Sequence, residues 1–160
     1  MIDEGIYINA KDKIYLATPL HTAVCNGYEK IVELLILNGA KIDAKDVNKM
    51  TPLYWAVENN KIKMVKLLLK HLANVNVTTT NLRTPLHLAI REGFEQIAKE
   101  LISNGANIDS KDEDRRTPIH IAIRVNDIEI LKFLIEKGAN VNGNSNAFPT
   151  PLHFATHNGV

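Results

Sequence analysis

The sequence contains one cysteine, Cys25, among 160 residues. A single thiol excludes an internal disulfide and is typical of proteins from a reducing compartment. The apolar runs are short, as in Leu34-Leu35-Ile36-Leu37, whereas a membrane-spanning helix needs about 20 apolar residues. The first residues are acidic and carry no apolar signal core. We therefore expect an intracellular, cytoplasmic protein, with nuclear and host-delivered locations as alternatives.

The chain also lacks a strong charge of either sign and lacks the motifs of common enzymes. Lys and Arg number 19 and Asp and Glu 18, a net charge of +1, so we expect no nucleic-acid and no membrane partner. The sequence has no glycine-rich phosphate loop, no nucleophile elbow and no cysteine pairs with zinc spacing. His153 and His157 lie four residues apart, but two histidines alone make a poor zinc site. We expect no catalytic residue, metal or cofactor.

What the sequence does contain is a repeated phrase. Thr18-Pro19-Leu20-His21 recurs with only conservative changes, and each copy begins 33 residues after the previous one. The later copies begin at Thr51, Thr84, Thr117 and Thr150. A fixed period of this length indicates stacked supersecondary units rather than one closed globular core.

The rest of the period predicts two short helices in each unit. The threonine suits an N-cap and the proline after it suits the first helical position. In the second unit the first helix is predicted from Pro52 to Glu58. Glycine or asparagine follows nine residues after each threonine, as at Gly27 and Asn60, and both residues tolerate the left-handed conformation of a helix C-cap. Apolar residues at helical spacing, such as Ile31 to Leu35, then predict a second helix.

Most units end in a Gly-Ala pair, at Gly39-Ala40, Gly105-Ala106 and Gly138-Ala139. This pair, the Thr-Pro-Leu-His-x-x-Ala phrase and the 33-residue period together resemble ankyrin repeats. The resemblance extends from about Ile8 to Val160. It implies an all-α solenoid of stacked helix-turn-helix units joined by short hairpin loops. We expect one array over residues 1–160, monomeric, with repeats at about 15–43, 48–76, 81–109, 114–142 and, incompletely, 147–160.

In this family the histidine of the phrase hydrogen-bonds locally and helps to tie adjacent loops together. That role is implied for His21, His87, His120 and His153, and it is structural rather than catalytic. Tyr54 takes the position in the second unit, where the junction is expected to be bonded differently.

The chain departs from the family pattern at the hairpin tips and at one helix end. The family usually has glycine two residues before the threonine, but this chain has Leu16, Lys49, Leu82, Arg115 and Phe148 there. Either these turns do not need a positive φ or the position is mildly strained. Leu72 replaces the glycine of the Gly-Ala pair. A leucine there either adopts the left-handed conformation or ends the helix differently, and we expect the second outcome, a locally altered helix end.

The resemblance implies a non-catalytic module that binds a protein partner through the hairpin tips and the exposed end of the first helix. Carried over position by position, these residues are Val47, Asn48, Met50, Glu58 and Asn59, then Thr80, Asn81, Arg83, Arg91 and Glu92, then Glu113, Asp114, Arg116, Arg124 and Val125. Their mixture of both charges with neutral groups suits a polar protein surface.

Other interpretations stay open at this point. One alternative is that the array is a structural spacer or an autoinhibitory segment of a larger protein, which could be a microbial effector. Another is that it belongs to an enzyme whose catalytic domain lies outside this sequence. Lys61, Lys63, Lys66 and Lys70 form a local basic run. We interpret that run as a solvated helix face, with a patch for an acidic partner as the alternative.

Overall fold

The computed structural model describes residues 8–143. Between residues 19 and 136 the chain forms eight α-helices in four consecutive pairs, which confirms the all-α prediction. The helices are α1 Pro19–Asn26, α2 Glu29–Leu37, α3 Pro52–Glu58, α4 Ile62–Lys70, α5 Pro85–Arg91, α6 Glu95–Ser103, α7 Pro118–Arg124 and α8 Ile128–Glu136. The first helix of the second pair has the predicted bounds.

The helices belong to two compact units, the first ending at Thr80 and the second beginning at Asn81. In the first unit α1 packs on α2 and on α3, and α3 packs on α4. In the second unit α5 packs on α6 and on α7, and α7 packs on α8. Each unit therefore contains two helix pairs stacked through their first helices.

Small residues bring the stacked helices close together. The alanine of each first helix is buried, with 0 % of Ala56, Ala89 and Ala122 exposed. Larger side chains such as Leu53 and Leu86 fill the surrounding core and are equally buried. The methyl group of alanine lets the neighbouring backbone approach, and the larger apolar residues supply most of the buried area.

The first helices begin and end as the repeated phrase predicts. Thr51 has an extended backbone (φ −98°, ψ 168°), proline follows it, and its Oγ1 accepts the Tyr54 N–H at 3.4 Å. At the other end, Gly27 and Gly93 adopt the left-handed conformation with φ of 75° and 70°. Asn60 and Asn126 do the same with φ of 52° and 56°. The exchange of glycine for asparagine thus preserves one backbone conformation.

The hairpin tips keep a positive φ without glycine. The φ angle is 55° at Leu16, 60° at Lys49, 55° at Leu82 and 59° at Arg115. Of the two alternatives from the sequence, these four tips therefore follow the strained one. Phe148 lies outside the described residues.

The expectation of an altered helix end at Leu72 is wrong. Leu72 has a φ of 64°, and the Ala73 N–H bonds to the Leu68 carbonyl at 3.0 Å. At the end of α2, Gly39 has a φ of 88° and the Ala40 N–H bonds in the same way to Leu35, at 2.9 Å. The hydrogen bonds that close the helix are thus retained, and leucine adopts the left-handed conformation to make them.

Candidate binding surface

Two buried aspartates organise the hairpin tips. Asp46 Oδ1 accepts the N–H groups of Asn48 and Met50, each at 2.8 Å. Asp112 Oδ1 accepts those of Asp114 at 3.0 Å and Arg116 at 2.9 Å. These bonds hold the turn closed around one carboxylate oxygen and leave Oδ2 for a side chain.

The Oδ2 atoms of the two aspartates have different partners. Trp55 Nε1 donates to Asp46 Oδ2 at 2.9 Å. Arg116 donates to Asp112 Oδ2 through Nε at 3.0 Å and Nη2 at 2.9 Å. An indole therefore completes one hairpin and a guanidinium completes the other.

Main-chain hydrogen bonds join successive hairpins within each unit. In the first unit, the Val47 N–H bonds to the Tyr15 carbonyl at 2.8 Å and the Thr80 N–H bonds to the Asn48 carbonyl at 3.1 Å. In the second unit, the Glu113 N–H bonds to the Asn81 carbonyl at 3.2 Å. The backbone of the tips is thereby fixed.

Two of the buried histidines, His21 and His87, make the links between adjacent loops that the family resemblance implies. His21 Nδ1 accepts the Thr18 N–H at 3.1 Å, so Nε2 carries the proton and donates to the Met50 carbonyl at 3.2 Å. His87 Nδ1 accepts the Thr84 N–H at 3.2 Å, and Nε2 donates to the Arg116 carbonyl at 3.1 Å. Burial lowers the pKa of both imidazoles, so they are neutral at pH 7. His120 Nδ1 accepts the Thr117 N–H at 3.3 Å.

Most of the predicted binding residues of the first unit lie at its surface. Val47, Asn48, Glu58, Asn59 and Thr80 are exposed. The side chain of Asn59 bonds to the Trp55 carbonyl at 2.9 Å, which turns it back on its own helix. Met50 is half-buried beside the Asp46 turn.

In the second unit the predicted residues form a network of charges. Asn81 donates to Glu113 at 2.9 Å, and Arg91 pairs with the adjacent Glu92 at 2.7 Å. Arg116 pairs with Asp114 as well as with Asp112. Exposed Val125 follows the end of α7.

Four arginines lie close enough in the second unit to affect one another. Arg83 Nε is 4.0 Å from Asp112 Oδ2, the oxygen that also accepts from Arg116. Burial lowers the pKa of Arg124, and the positive charges of Arg116, Arg83 and Arg91 lower it further. The structure thus brings Arg83 and Arg116 together around the buried Asp112, and the positive charges of Arg83, Arg91 and Arg116 act on Arg124.

A comparison with protein families agrees with this architecture. Three overlapping matches to the family model described as ankyrin repeats cover residues 20–112, 74–145 and 107–160. The chain belongs to the ankyrin repeat family. Ankyrin repeats are generally protein–protein interaction modules and are typically non-catalytic. No curated protein matches the sequence.

Metal binding and membrane spanning can both be assessed for the described residues of these ankyrin repeats. Between residues 8 and 143, no three His, Cys, Asp or Glu side chains are grouped so as to hold a metal ion. His153 and His157 lie outside that range. No helix within it is long and apolar enough to span a bilayer.

The basic run begins at Lys61, directly before α4, and continues along α4, the second helix of its ankyrin repeat. Lys63 and Lys66 are exposed, and Lys63 Nζ is 3.9 Å from Glu29 Oε1 on α2. An ion pair between such exposed side chains contributes little stability. This geometry agrees with a solvated helix face.

Sequence reasoning missed an aromatic cavity in the first of the two units of ankyrin repeats. A cavity of about 250 Å³ is lined by Tyr15, Asp46, Asn48, Met50, Trp55 and Glu58. Three of these residues were predicted to bind a partner, whereas Tyr15, Asp46 and Trp55 were not. The available signal was that the only tryptophan in the chain occupies a position held by Leu88 and Ile121 in later repeats.

Proposed function

We propose that this chain is a non-catalytic protein-binding module that captures its partner through the hairpin tips and the adjoining ends of the first helices. The observation that carries the proposal is the contrast between fixed backbone and exposed side chains at the tips. Hydrogen bonds to Asp46 and Asp112 fix the turns. Val47, Asn48 and Glu113 extend from those turns and are exposed.

Such an arrangement favours binding because little conformational entropy is lost when a preorganised backbone meets its partner. The exposed side chains do not determine the helix packing, which rests on residues such as Ala56 and Leu86. The same stack can therefore carry many different surfaces.

The charges of the second unit support a polar protein partner over a polyanion. Arg91 pairs with Glu92, and Arg116 pairs with both Asp112 and Asp114. These carboxylates offset much of the positive charge. We further propose an intracellular setting, because the chain contains only Cys25 as a thiol.

The experiment is affinity purification followed by measurement of association rates with the captured partner. Arg83→Glu/Arg91→Glu reverses two charges on the proposed face, and Lys63→Glu/Lys66→Glu is the matched control on α4. Since charged groups at an interface rim act mainly on encounter, we expect the arginine variant to associate about fivefold more slowly or worse, with a weaker salt dependence.

The lysine variant should associate at the parental rate, and both variants should keep the parental helical circular dichroism spectrum. Loss of capture in the lysine variant with retention in the arginine variant would place the site on α4 and refute this proposal.

A further inference from the structure

The aromatic cavity of the first unit differs in chemistry from the rest of the proposed face. It is lined by two aromatic residues, Tyr15 and Trp55, by two acidic residues, Asp46 and Glu58, and by Asn48 and Met50. None of its six described lining residues is basic. Aromatic faces and carboxylates share one preference, which is for a cation.

The Trp55 ring is held in place before any ligand arrives. Its Nε1 donates to Asp46 Oδ2 at 2.9 Å. Its ring meets that of His21 edge to face, with centroids 5.1 Å apart and planes at 66°. An indole anchored on two sides offers a fixed π surface, so little side-chain entropy is lost on binding.

Tyr15 also lines the cavity and stands on a fixed turn. Its N–H donates to Asp12 Oδ1 at 2.7 Å, and its carbonyl accepts from Val47 at 2.8 Å. The residue is 59 % exposed. A ligand side chain therefore has direct access from solvent.

The second unit shows what chemistry fits beside such a hairpin aspartate. Met50 occupies the repeat position that Arg116 occupies 66 residues later, and Asp46 corresponds in the same way to Asp112. In the second unit the Arg116 guanidinium bonds to Asp112 Oδ2. In the first unit an apolar thioether takes the place of that guanidinium, and a cavity adjoins the aspartate.

We propose that this cavity binds the side chain of one arginine from an exposed basic segment of a protein partner. The guanidinium stacks on the Trp55 and Tyr15 rings, with Glu58 and the buried Asp46 supplying negative potential. The proposal rests on the proposed function and deepens it, because it assigns a chemical class to the partner segment that docks on the first unit.

The size of the cavity agrees with one side chain rather than with a small-molecule ligand. Its volume is about 250 Å³, below the range of about 300–1,000 Å³ that is usual for sites of drug-sized molecules. A single cation on exposed aromatic rings binds weakly, so the isolated interaction should have a Kd on the order of 1–10 mM.

The test uses the intact chain and the capped peptide Gly-Ser-Arg-Ser-Gly. The matched probe contains citrulline, the neutral isostere of arginine, at the central position. Trp55 is the only tryptophan, so its fluorescence and its indole N–H resonance report on this cavity alone. We expect both signals to shift with the arginine peptide, and the citrulline peptide to bind about tenfold more weakly or worse.

Two variants borrow residues that the later repeats carry at the same positions, so each should fold. Met50→Arg places an internal guanidinium beside Asp46, as Arg116 does beside Asp112, and should abolish peptide binding. Trp55→Leu copies Leu88 and should weaken binding about fivefold or more, followed through the amide resonances of Asn48 and Met50. Thermal melts confirm that both are folded.

Equal binding of the two peptides, unchanged binding by Met50→Arg, or no shift at about 20 mM arginine peptide would each overturn this inference. None of these results would contradict the proposed function, because partner capture is measured separately with the Arg83→Glu/Arg91→Glu variant. The converse result is a peptide that titrates as expected and partner capture that is unaffected by Arg83→Glu/Arg91→Glu. That combination would support the cavity site and contradict the proposal that the partner binds the hairpin tips and first-helix ends of the second unit.

Discussion

Five residues that are neither glycine nor asparagine have a positive φ in the described part of the chain: Leu16, Lys49, Leu72, Leu82 and Arg115. The left-handed conformation costs an L-residue with a Cβ roughly 1–2 kcal/mol. Each occurs where it closes a hairpin or a helix end, so the hydrogen bonds of that turn offset the cost. Leu72 lacks any packing benefit because it is 87 % exposed.

Leu72→Gly should therefore stabilise the protein. Glycine removes the conformational strain, while its greater freedom in the unfolded chain takes back about 0.4–1 kcal/mol. We expect a net gain in the free energy of unfolding of about 0.5–1 kcal/mol, measured by urea denaturation.

The reciprocal change Gly39→Leu supplies the control at the same repeat position. A Cβ at Gly39 would meet no atom within 4 Å, so only the backbone conformation opposes the substitution. It should destabilise the protein by about 0.5–1 kcal/mol. If Leu72→Gly were neutral or destabilising, the leucine would not be strained in solution.

The buried imidazoles should make stability depend on pH. Burial lowers the folded-state pKa of His21 and His87 below the unfolded value of about 6.5. The unfolded chain then binds more protons as the pH falls through that value, so stability is complete above it and is lost towards the lower folded pKa. We expect the urea midpoint to fall between about pH 7.5 and about pH 5.5.

The control for this pH dependence is the double variant His21→Tyr/His87→Tyr. Tyrosine is chosen because Tyr54 occupies the same repeat position in the second repeat. Tyrosine does not titrate in this range. The urea midpoint of the double variant should therefore change less with pH than that of the parent, even though the absolute stability of the variant is lower. Parallel pH profiles would mean that other groups cause the effect.

At the level of elements, the stacking of first helices depends on the buried alanines. Ala89 and Ala122 are both 0 % exposed on α5 and α7, which pack together. Ala89→Leu and Ala122→Leu should each lower the free energy of unfolding by about 1–3 kcal/mol, because the added atoms force the helices apart.

Gln96→Leu is the matched control for these overpacking variants, since Gln96 is exposed on α6. It should change stability by no more than about 0.5 kcal/mol. Parental melting of both alanine variants would refute the close packing of α5 on α7.

The helices could be predicted from the sequence because the signals that mark their ends are local. Thr51 and Pro52 mark where α3 begins, and Asn60 marks the left-handed residue just beyond its end. The aromatic cavity could not be predicted from the sequence, because Tyr15 and Trp55 come from different repeats and meet only when the hairpins pair. The repeat pattern likewise left open whether Leu72 adopts the left-handed conformation or ends the helix differently, because the sequence alone does not show whether the helix-closing hydrogen bonds outweigh the strain.

For the whole molecule, the 33-residue period predicts one continuous array, and this prediction can be tested by coupling. In an array each repeat is stabilised by its neighbours, so damage in one repeat spreads to the others. Trp55 lies in the first unit and is the only tryptophan, so its fluorescence reports unfolding there. The circular dichroism signal at 222 nm reports all helices together.

Ala122→Leu, in the second unit, should accordingly lower the urea midpoint seen by Trp55 fluorescence as much as the midpoint seen by circular dichroism. One coincident transition for both probes is the result expected of a short, cooperative array, with a spectrum dominated by helix. Gln96→Leu should move neither midpoint appreciably. A variant in which circular dichroism shifts while Trp55 fluorescence keeps its parental midpoint would show that the two units unfold independently, because a perturbation confined to one would then leave the other intact.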